Sequence, residues 1–266
     1  MHNFVNKIFL EDNLSLLKRL PSNCINLIYS DILFGTGRKF KHYKDIKPKK
    51  DGIYNFYIPR IKEMHRVLKD TGSIYLQMDW RIVHWLRCIM DDIFGYKNFR
   101  NEIIWHYDLG NKPKNAFKRK HDNILFYSKT NNNTFNEIRI PARNEDRYYL
   151  VDEKGKHFTD TAGRKCYLAD GIICEDVWSF LEDGNLRTLN AKALERNGYD
   201  NQKSLYLMNR IIKASSNEGD IVADFFCGSG SFLVSAQNLG RKYIGCDNNS
   251  EAVKIANQRI KKTLPD

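Results

Sequence analysis

The feature that most restricts the fold is the run Ile221-Val222-Ala223-Asp224-Phe225, followed by Phe226-Cys227-Gly228-Ser229-Gly230-Ser231. A buried strand that breaks on two closely spaced glycines and resumes as a helical pattern, Ser231 to Leu239, is the strand, turn and helix of a parallel α/β layer. Gly228 and Gly230 admit positive φ and let backbone approach a ligand where a Cβ would clash. The next strand, Tyr243 to Cys246, ends in Asp247, 23 residues beyond Asp224. An acid at that distance grips ribose hydroxyls in nucleotide-binding sheets. Leu233 stands where the dinucleotide fingerprint has its third glycine, which disfavours a pyrophosphate ligand.

The same alternation runs through most of the chain. Asn6 to Leu10 and Ile25 to Tyr29 read as strands flanking a helix from Asn13 to Leu20, and the second strand ends in Ser30-Asp31. A stripe at Tyr54, Ile58, Ile61, Met64 and Leu68 predicts a helix over Ile53 to Leu68, stopped by Asp70-Thr71-Gly72. Ser73 to Met78 reads as a strand, Arg81 to Phe94 as a helix, and Glu102 to Tyr107 and Asn123 to Tyr127 as strands around a basic loop. Leu205 to Ala214 is a further helix, and Ser250 caps a closing one that runs to Lys261. Such repetition predicts a doubly wound, mostly parallel sheet. Between Thr130 and Gly198 the rhythm gives way to turn-rich polar sequence that keeps aromatics such as Tyr148, Phe158 and Trp178, and we read it as an insertion of short strands and loops. The chain thus divides into 1–129, 130–198 and 199–266.

Composition narrows the class. Hydrophobic residues at 42% and aromatics at 12% supply a core and argue against a disordered chain. No apolar run approaches the roughly 20 residues of a membrane span. Glu11 and Asp12 fall where a secretory signal would be apolar, so a soluble cytoplasmic protein is expected. Cys24, Cys88, Cys166, Cys174, Cys227 and Cys246 form no Cys-x-x-Cys pair; they are expected as buried thiols, with no metal site. Lysine and arginine outnumber the acids 43 to 32, and a net charge of +11 points to a polyanionic partner only where it clusters. It does so over residues 38–44 and 112–120, both beside predicted strand ends, making Arg38, Lys39, Lys41, Lys118, Arg119 and Lys120 candidate phosphate contacts.

The loop from Asp224 to Gly230, with an acid ending the following strand, resembles the S-adenosylmethionine loop of amino-methylating DNA methyltransferases. That family's Asp-Pro-Pro-Tyr or Asp-Pro-Pro-Phe is similar to Asp31-Ile32-Leu33-Phe34, with both prolines replaced. Asn201-Gln202-Lys203-Ser204 resembles its Thr-Gln-Lys-Pro, and Lys7 to Asn13 resembles its opening strand, whose terminal acid faces the cofactor adenine. Catalytic segment first and glycine loop last is the circularly permuted β-class order. The resemblance implies a Rossmann-like sheet and S-adenosylmethionine held among Asp12, Asn13, Asp31, Asn201, Gln202, Lys203, Ser204, Asp224, Phe226, Cys227, Gly228, Ser229, Gly230, Ser231, Asp247 and Asn248. It further implies target recognition by the insertion, a flipped base in double-stranded DNA, and a restriction endonuclease and a second copy of the chain as partners.

The chemistry fits those residue types. An exocyclic amine on adenine or cytosine is a poor nucleophile, so acceptors must be aimed at its hydrogens. Asp31 and the Ile32 carbonyl are the candidates, with Phe34 stacking on the base and Leu33 completing the catalytic tetrapeptide. Cytosine C5 methylation needs a Pro-Cys nucleophile and zinc deamination a His-x-Glu; neither occurs. Adenine N6 is the expected target because the family's N4-cytosine members more often carry Ser where Asp31 stands. N4-cytosine transfer is one alternative. An inactive DNA-binding subunit is another, suggested by Ile32, Leu33 and Ser204 in place of three prolines.

Overall fold

A computed structural model describes residues 1–39, 45–108, 113–142, 145–181, 183–189 and 202–262. Its strands are β1 (Lys7–Leu10), β2 (Ile25–Asp31), β3 (Leu68–Met78), β4 (Phe99–His106), β5 (His121–Ser128), β6 (Arg139–Ile140), β7 (Leu150–Val151), β8 (His157–Thr161), β9 (Arg164–Tyr167), β10 (Ile172–Ile173), β11 (Val177–Ser179), β12 (Ile221–Asp224) and β13 (Lys242–Asp247). The helices are α1 (Asn13–Arg19), α2 (Lys50–Val67), α3 (Val83–Phe94), α4 (Leu205–Ser215), α5 (Ser231–Asn238) and α6 (Ser250–Lys262).

Eight strands form one sheet in the order β1-β13-β12-β2-β3-β5-β4-β11, and β5 alone among them runs antiparallel to its neighbours. The expected mostly parallel α/β sheet is therefore the fold. β12 reaches the centre of the sheet although it lies near the end of the chain, which is the permuted order. Both faces are covered, so the strands are apolar almost throughout. Ile28 and Ile74 point to a core built with α1, α2 and α3, while Leu27, Tyr29 and Tyr75 point to a second core under α4 and α5.

Two local readings are corrected by packing. The buried stripe of α2 is Ile53, Tyr57, Ile61, Met64 and Val67, not the one through Tyr54 and Ile58. Tyr57 turns inward because its hydroxyl donates to the Leu33 carbonyl at 2.8 Å. Among the cysteines, Cys24, Cys227 and Cys246 are buried, but Cys88 is exposed on the outer side of α3, and Cys166 on β9 and Cys174 just after β10 are half-buried. The turn-rich segment forms a two-stranded sheet, β6 with β10, and a three-stranded one, β7-β8-β9. Its end returns to the main sheet: β11 pairs with β4, Trp178 enters the second core, and the Trp105 indole donates to the Leu186 carbonyl at 2.8 Å. Three residues are too few to show a period in sequence.

The close approach that a third fingerprint glycine allows is made elsewhere. Gly245 on β13 faces Leu233 of α5, and a Cβ there would collide with Leu233 Cδ1 and press on Ile8 at 3.2 Å. Overpacking of this kind costs ~1–3 kcal/mol. Gly245→Ala should lower unfolding free energy by about that amount in urea denaturation. Gly52→Ala in α2, with open space around it, should raise it by ~0.4–1 kcal/mol.

Candidate active site

Parallel pairing of β2 with β12, Leu27 opposite Val222 and Ile28 opposite Ala223, brings the two charged strand ends together. Ser30 locks them: its hydroxyl donates to Asp224 Oδ1 at 3.1 Å and accepts from the Phe225 amide at 3.2 Å. Beyond this lock opens a cavity of about 540 Å³, lined on one side by Asp31, Ile32, Leu33 and Phe34 and on the other by Asp224, Phe226, Cys227, Gly228, Ser229 and Ser231. It lies at the carboxyl ends of the parallel strands, where open α/β sheets bind ligands.

The segment Asp31 to Phe34 is held without proline. The Ile32 amide, which a proline would lack, donates to the Gln77 carbonyl at 3.1 Å, and the Ile32 side chain is buried in the first core. Leu33 is fixed through its carbonyl by Tyr57. Gly35, at φ +72°, passes too close to Ile82 for a side chain. Buried Asp45 then gathers the Gly35, Thr36 and Ile46 amides at 2.7–3.1 Å, fastening the loop that follows. Ser204, in the third proline position, is buried and caps α4 by accepting from the Leu207 amide.

On the glycine-turn side, Gly230 takes the left-handed conformation at φ +77° and begins α5. The Gly228 amide donates to Asp247 Oδ2 at 2.8 Å, and the Asn249 amide to Oδ1 at 2.9 Å, so Asp247 ties the glycine turn to the end of β13. Asp12 caps α1 and pairs with Arg60 at 2.6 Å, while buried Asn13 donates to the Phe225 carbonyl and accepts from Arg60. Asp12, Asn13, Gln202, Lys203, Asp247 and Asn248 all line the cavity. Ser204 and Gly230 stand behind its wall as caps. Asn201 lies outside the described residues.

The cavity is acidic. Glu11, Asp12, Asp31, Asp45, Asp224 and Asp247 line it against the ammonium of Lys203, which sits 2.6 Å from Asp31 Oδ2. A phosphate would be repelled here, whereas a cationic ligand would be drawn in. Burial pushes Asp224 up to about 8, since Ser30 and the Phe226 amide stabilise its charge only in part. Burial also raises Asp31, which Lys203 pulls back to about 6. Next to Asp31 a buried relay runs from Tyr29 to Gln77 at 2.7 Å, from Gln77 to Asp122 at 2.8 Å, and from Tyr107 to Asp122 at 3.0 Å.

Residues 25–258, spanning both halves of this cavity, match the DNA methylase family. The chain belongs to that family. It is 38% identical to the type II methyltransferase M1.MboII of Moraxella bovis over 60% of its own length and 61% of that relative's, so it spans less than two thirds of that protein. It is 30% identical to the DNA adenine methyltransferase YhdJ of Escherichia coli strain K12, over 94% of this chain and 80% of the relative. Among solved structures, the cytosine-N4-specific PvuII DNA methyltransferase superposes with a TM-score of 0.66 at 16% identity, over 98% of this chain and 86% of that one, a likeness of fold.

In this member of the DNA methylase family, the predicted basic residues gather at the same sheet edge as the cavity. Arg38 and Lys39 are exposed on the loop after β2, and Lys118, Arg119 and Lys120 lie on the loop that enters β5. Lys41 is outside the described residues. Sequence reasoning missed Trp80, just past β3: it is 41% exposed, with the guanidinium of Arg119 4.1 Å and that of Arg81 4.9 Å from its ring centre. It also missed Phe56 of α2, which lines the cavity under the Arg60 guanidinium at 3.7 Å. An aromatic beside two arginine-bearing loops was the available signal for Trp80; Phe56 gave none, because its neighbours come from distant segments.

A carboxyl raised on folding loses stability as pH rises. The Asp224 contribution is full below its unfolded value near 4 and is lost as pH climbs through about 8. Asp224→Asn removes this dependence. Its melting temperature relative to the parent should therefore rise between pH 5 and pH 9, as followed by circular dichroism.

Proposed function

We propose that the chain transfers a methyl group from S-adenosylmethionine to the N6 amine of adenine at a specific site in duplex DNA, as the modification partner of a restriction endonuclease. The observation that carries this reading is the single cavity shared by Asp31 and the Asp224 to Ser231 loop. Its size suits a drug-sized ligand, and its acidic lining suits a molecule that carries a sulfonium and an ammonium but no phosphate. Gln202, Phe226, Gly228, Asp247 and Asn248 would hold that donor, with Asp247 at the ribose. When bound, the donor supplies an electrophilic methyl group.

The protein supplies placement and electrostatics. Asp31 Oδ1 lacks a hydrogen-bond partner among the described residues, so the carboxylate keeps unspent acceptor capacity for one amine hydrogen of an everted base. The Ile32 carbonyl takes the other. Accepting those hydrogens would return electron density to the nitrogen for attack on the methyl group that a bound donor would supply, its sulfonium becoming a thioether, and the surplus amine proton would leave through the Asp31 carboxylate to solvent. Half-buried Phe34 offers its ring to the base. Activity should fall as pH drops below about 6, where Asp31 takes up its own proton.

Adenine is favoured over cytosine because the serine of this segment is committed elsewhere. Ser30 is fully buried and spends its hydroxyl on Asp224 and Phe225, leaving Asp31 as the base-facing group. Activity is favoured over a silent subunit because the Ile32 amide and Tyr57 restrain the backbone that the absent prolines would have stiffened. Duplex DNA would lie along the edge carrying Arg38, Lys39, Lys118 and Arg119. Phe117, 97% exposed among those lysines, is the candidate to fill the space left by the base, and the β6 to β10 segment is the candidate reader of sequence.

Incubation with labelled S-adenosylmethionine and mixed-sequence DNA, followed by nucleoside analysis, should yield N6-methyladenine from the parent and none from Asp31→Ala. N4-methylcytosine alone would overturn the adenine assignment. Phe117→Ala and Trp80→Ala should each weaken DNA binding by roughly 5- to 150-fold, the range of ~1–3 kcal/mol per aromatic contact, in fluorescence anisotropy.

A further inference from the structure

The ion pair between Lys203 and Asp31 joins segments 172 residues apart, and both ends of the lysine are tethered. Its backbone carbonyl accepts from the hydroxyl of Ser231, the first residue of α5, at 2.8 Å, and the next residue, Ser204, caps α4. At the other end the ammonium lies 2.6 Å from Asp31 Oδ2, with the Phe34 and Trp105 rings 5.5 and 5.9 Å away and only 10% of the side chain exposed. A lysine enclosed in this way is poorly placed to meet a DNA phosphate. Asp31 Oδ1 meanwhile is buried with no hydrogen-bond partner among the described residues, a costly state for a carboxylate oxygen unless a ligand satisfies it.

We propose that Lys203 is the positioning residue of the catalytic carboxylate: by holding Oδ2 it aims Oδ1 at the substrate amine and keeps the group charged. This rests on the reading of Asp31 as the acceptor of an amine hydrogen. The surroundings leave that task to Lys203 alone among the described charged neighbours of Asp31. Asp122 on β5 and Asp224 on β12 are acids, and Tyr29, Tyr57 and Tyr107 are phenols whose own ionisation is suppressed by burial. Burial and Asp122 both favour a protonated Asp31, and Lys203 opposes them. Arginine at position 203 would preserve the pairing, whereas methionine would keep the apolar stem and remove the charge.

The test compares the full-length parent, Lys203→Met and Lys203→Arg in single-turnover methyl transfer from pH 5 to 9.5, with donor affinity followed by calorimetry. The parent rate should rise through about pH 6 and level off. In Lys203→Met that limb should move upward by about one to three pH units, so the rate at pH 7 falls roughly two- to ninetyfold and recovers in alkali. Lys203→Arg should keep the parent limb, and rates are compared at saturating donor so that a change in donor affinity does not enter them. A rate lost equally at every pH, or a loss explained by donor affinity with the limb unmoved, would overturn the proposal. Carbon-detected NMR titration of the Asp31 carboxyl makes the same comparison without turnover. If the parent transfers no methyl but the midpoint still rises in Lys203→Met, the functional reading fails while the pairing stands; an unchanged midpoint sinks the pairing itself.

Discussion

Everything at the site depends on β2 and β12 lying side by side. Two registered pairs and the Ser30 hydroxyl connect segments almost two hundred residues apart, and that contact turns two unremarkable strand ends into opposite walls of one cavity. Without it, Asp31 would be a lone acid at the end of a strand and the glycine turn a tight corner. The sheet is arranged around the same contact: β13 and β1 extend it towards Asp247 and Glu11, while β3 and β5 extend it towards Gln77 and Asp122.

Concentrating carboxylates at one sheet edge is unfavourable for the folded chain, and the structure offsets the cost in three ways. Backbone amides at Phe226, Gly228 and Asn249 donate to Asp224 and Asp247, and those of Gly35, Thr36 and Ile46 donate to Asp45 in the neighbouring loop. Cations pair with Asp12 and Asp31. Asp224, which has neither a cation partner nor enough donors among the described residues, is pushed towards its neutral form by burial. Preorganisation at the expense of stability is the usual pattern for sites that act through electrostatics.

Much of this was legible in the amino-acid sequence, where the signal is local. The glycine turn, the acid after β13 and the alternation of strands and helices depend on backbone freedom and apolar spacing within short windows, and the structure follows them closely. What stayed hidden depends on partners far away in sequence. β11 is too short to show a period, Phe56 lies outside the helical stripe, and the Lys203–Asp31 pair is invisible until α4 packs beside β2. The absent prolines illustrate both sides. Their loss is plain in the sequence, but the Ile32 amide and the Tyr57 hydroxyl that take over the restraint come from β3 and α2 partnerships that only folding reveals.

The account stands or falls on where the reacting amine sits. A crystal structure of the protein with a non-transferring donor analogue and duplex DNA containing the modified sequence would show it directly. The account predicts an adenine turned out of the helix, its N6 within ~2.6–3.2 Å of Asp31 Oδ1 and of the Ile32 carbonyl, and the donor's methyl-bearing atom on the opposite side of that nitrogen against the Asp224 to Ser231 loop. A base that remains stacked in the duplex, or an amine bound away from Asp31 with the donor elsewhere, would contradict it.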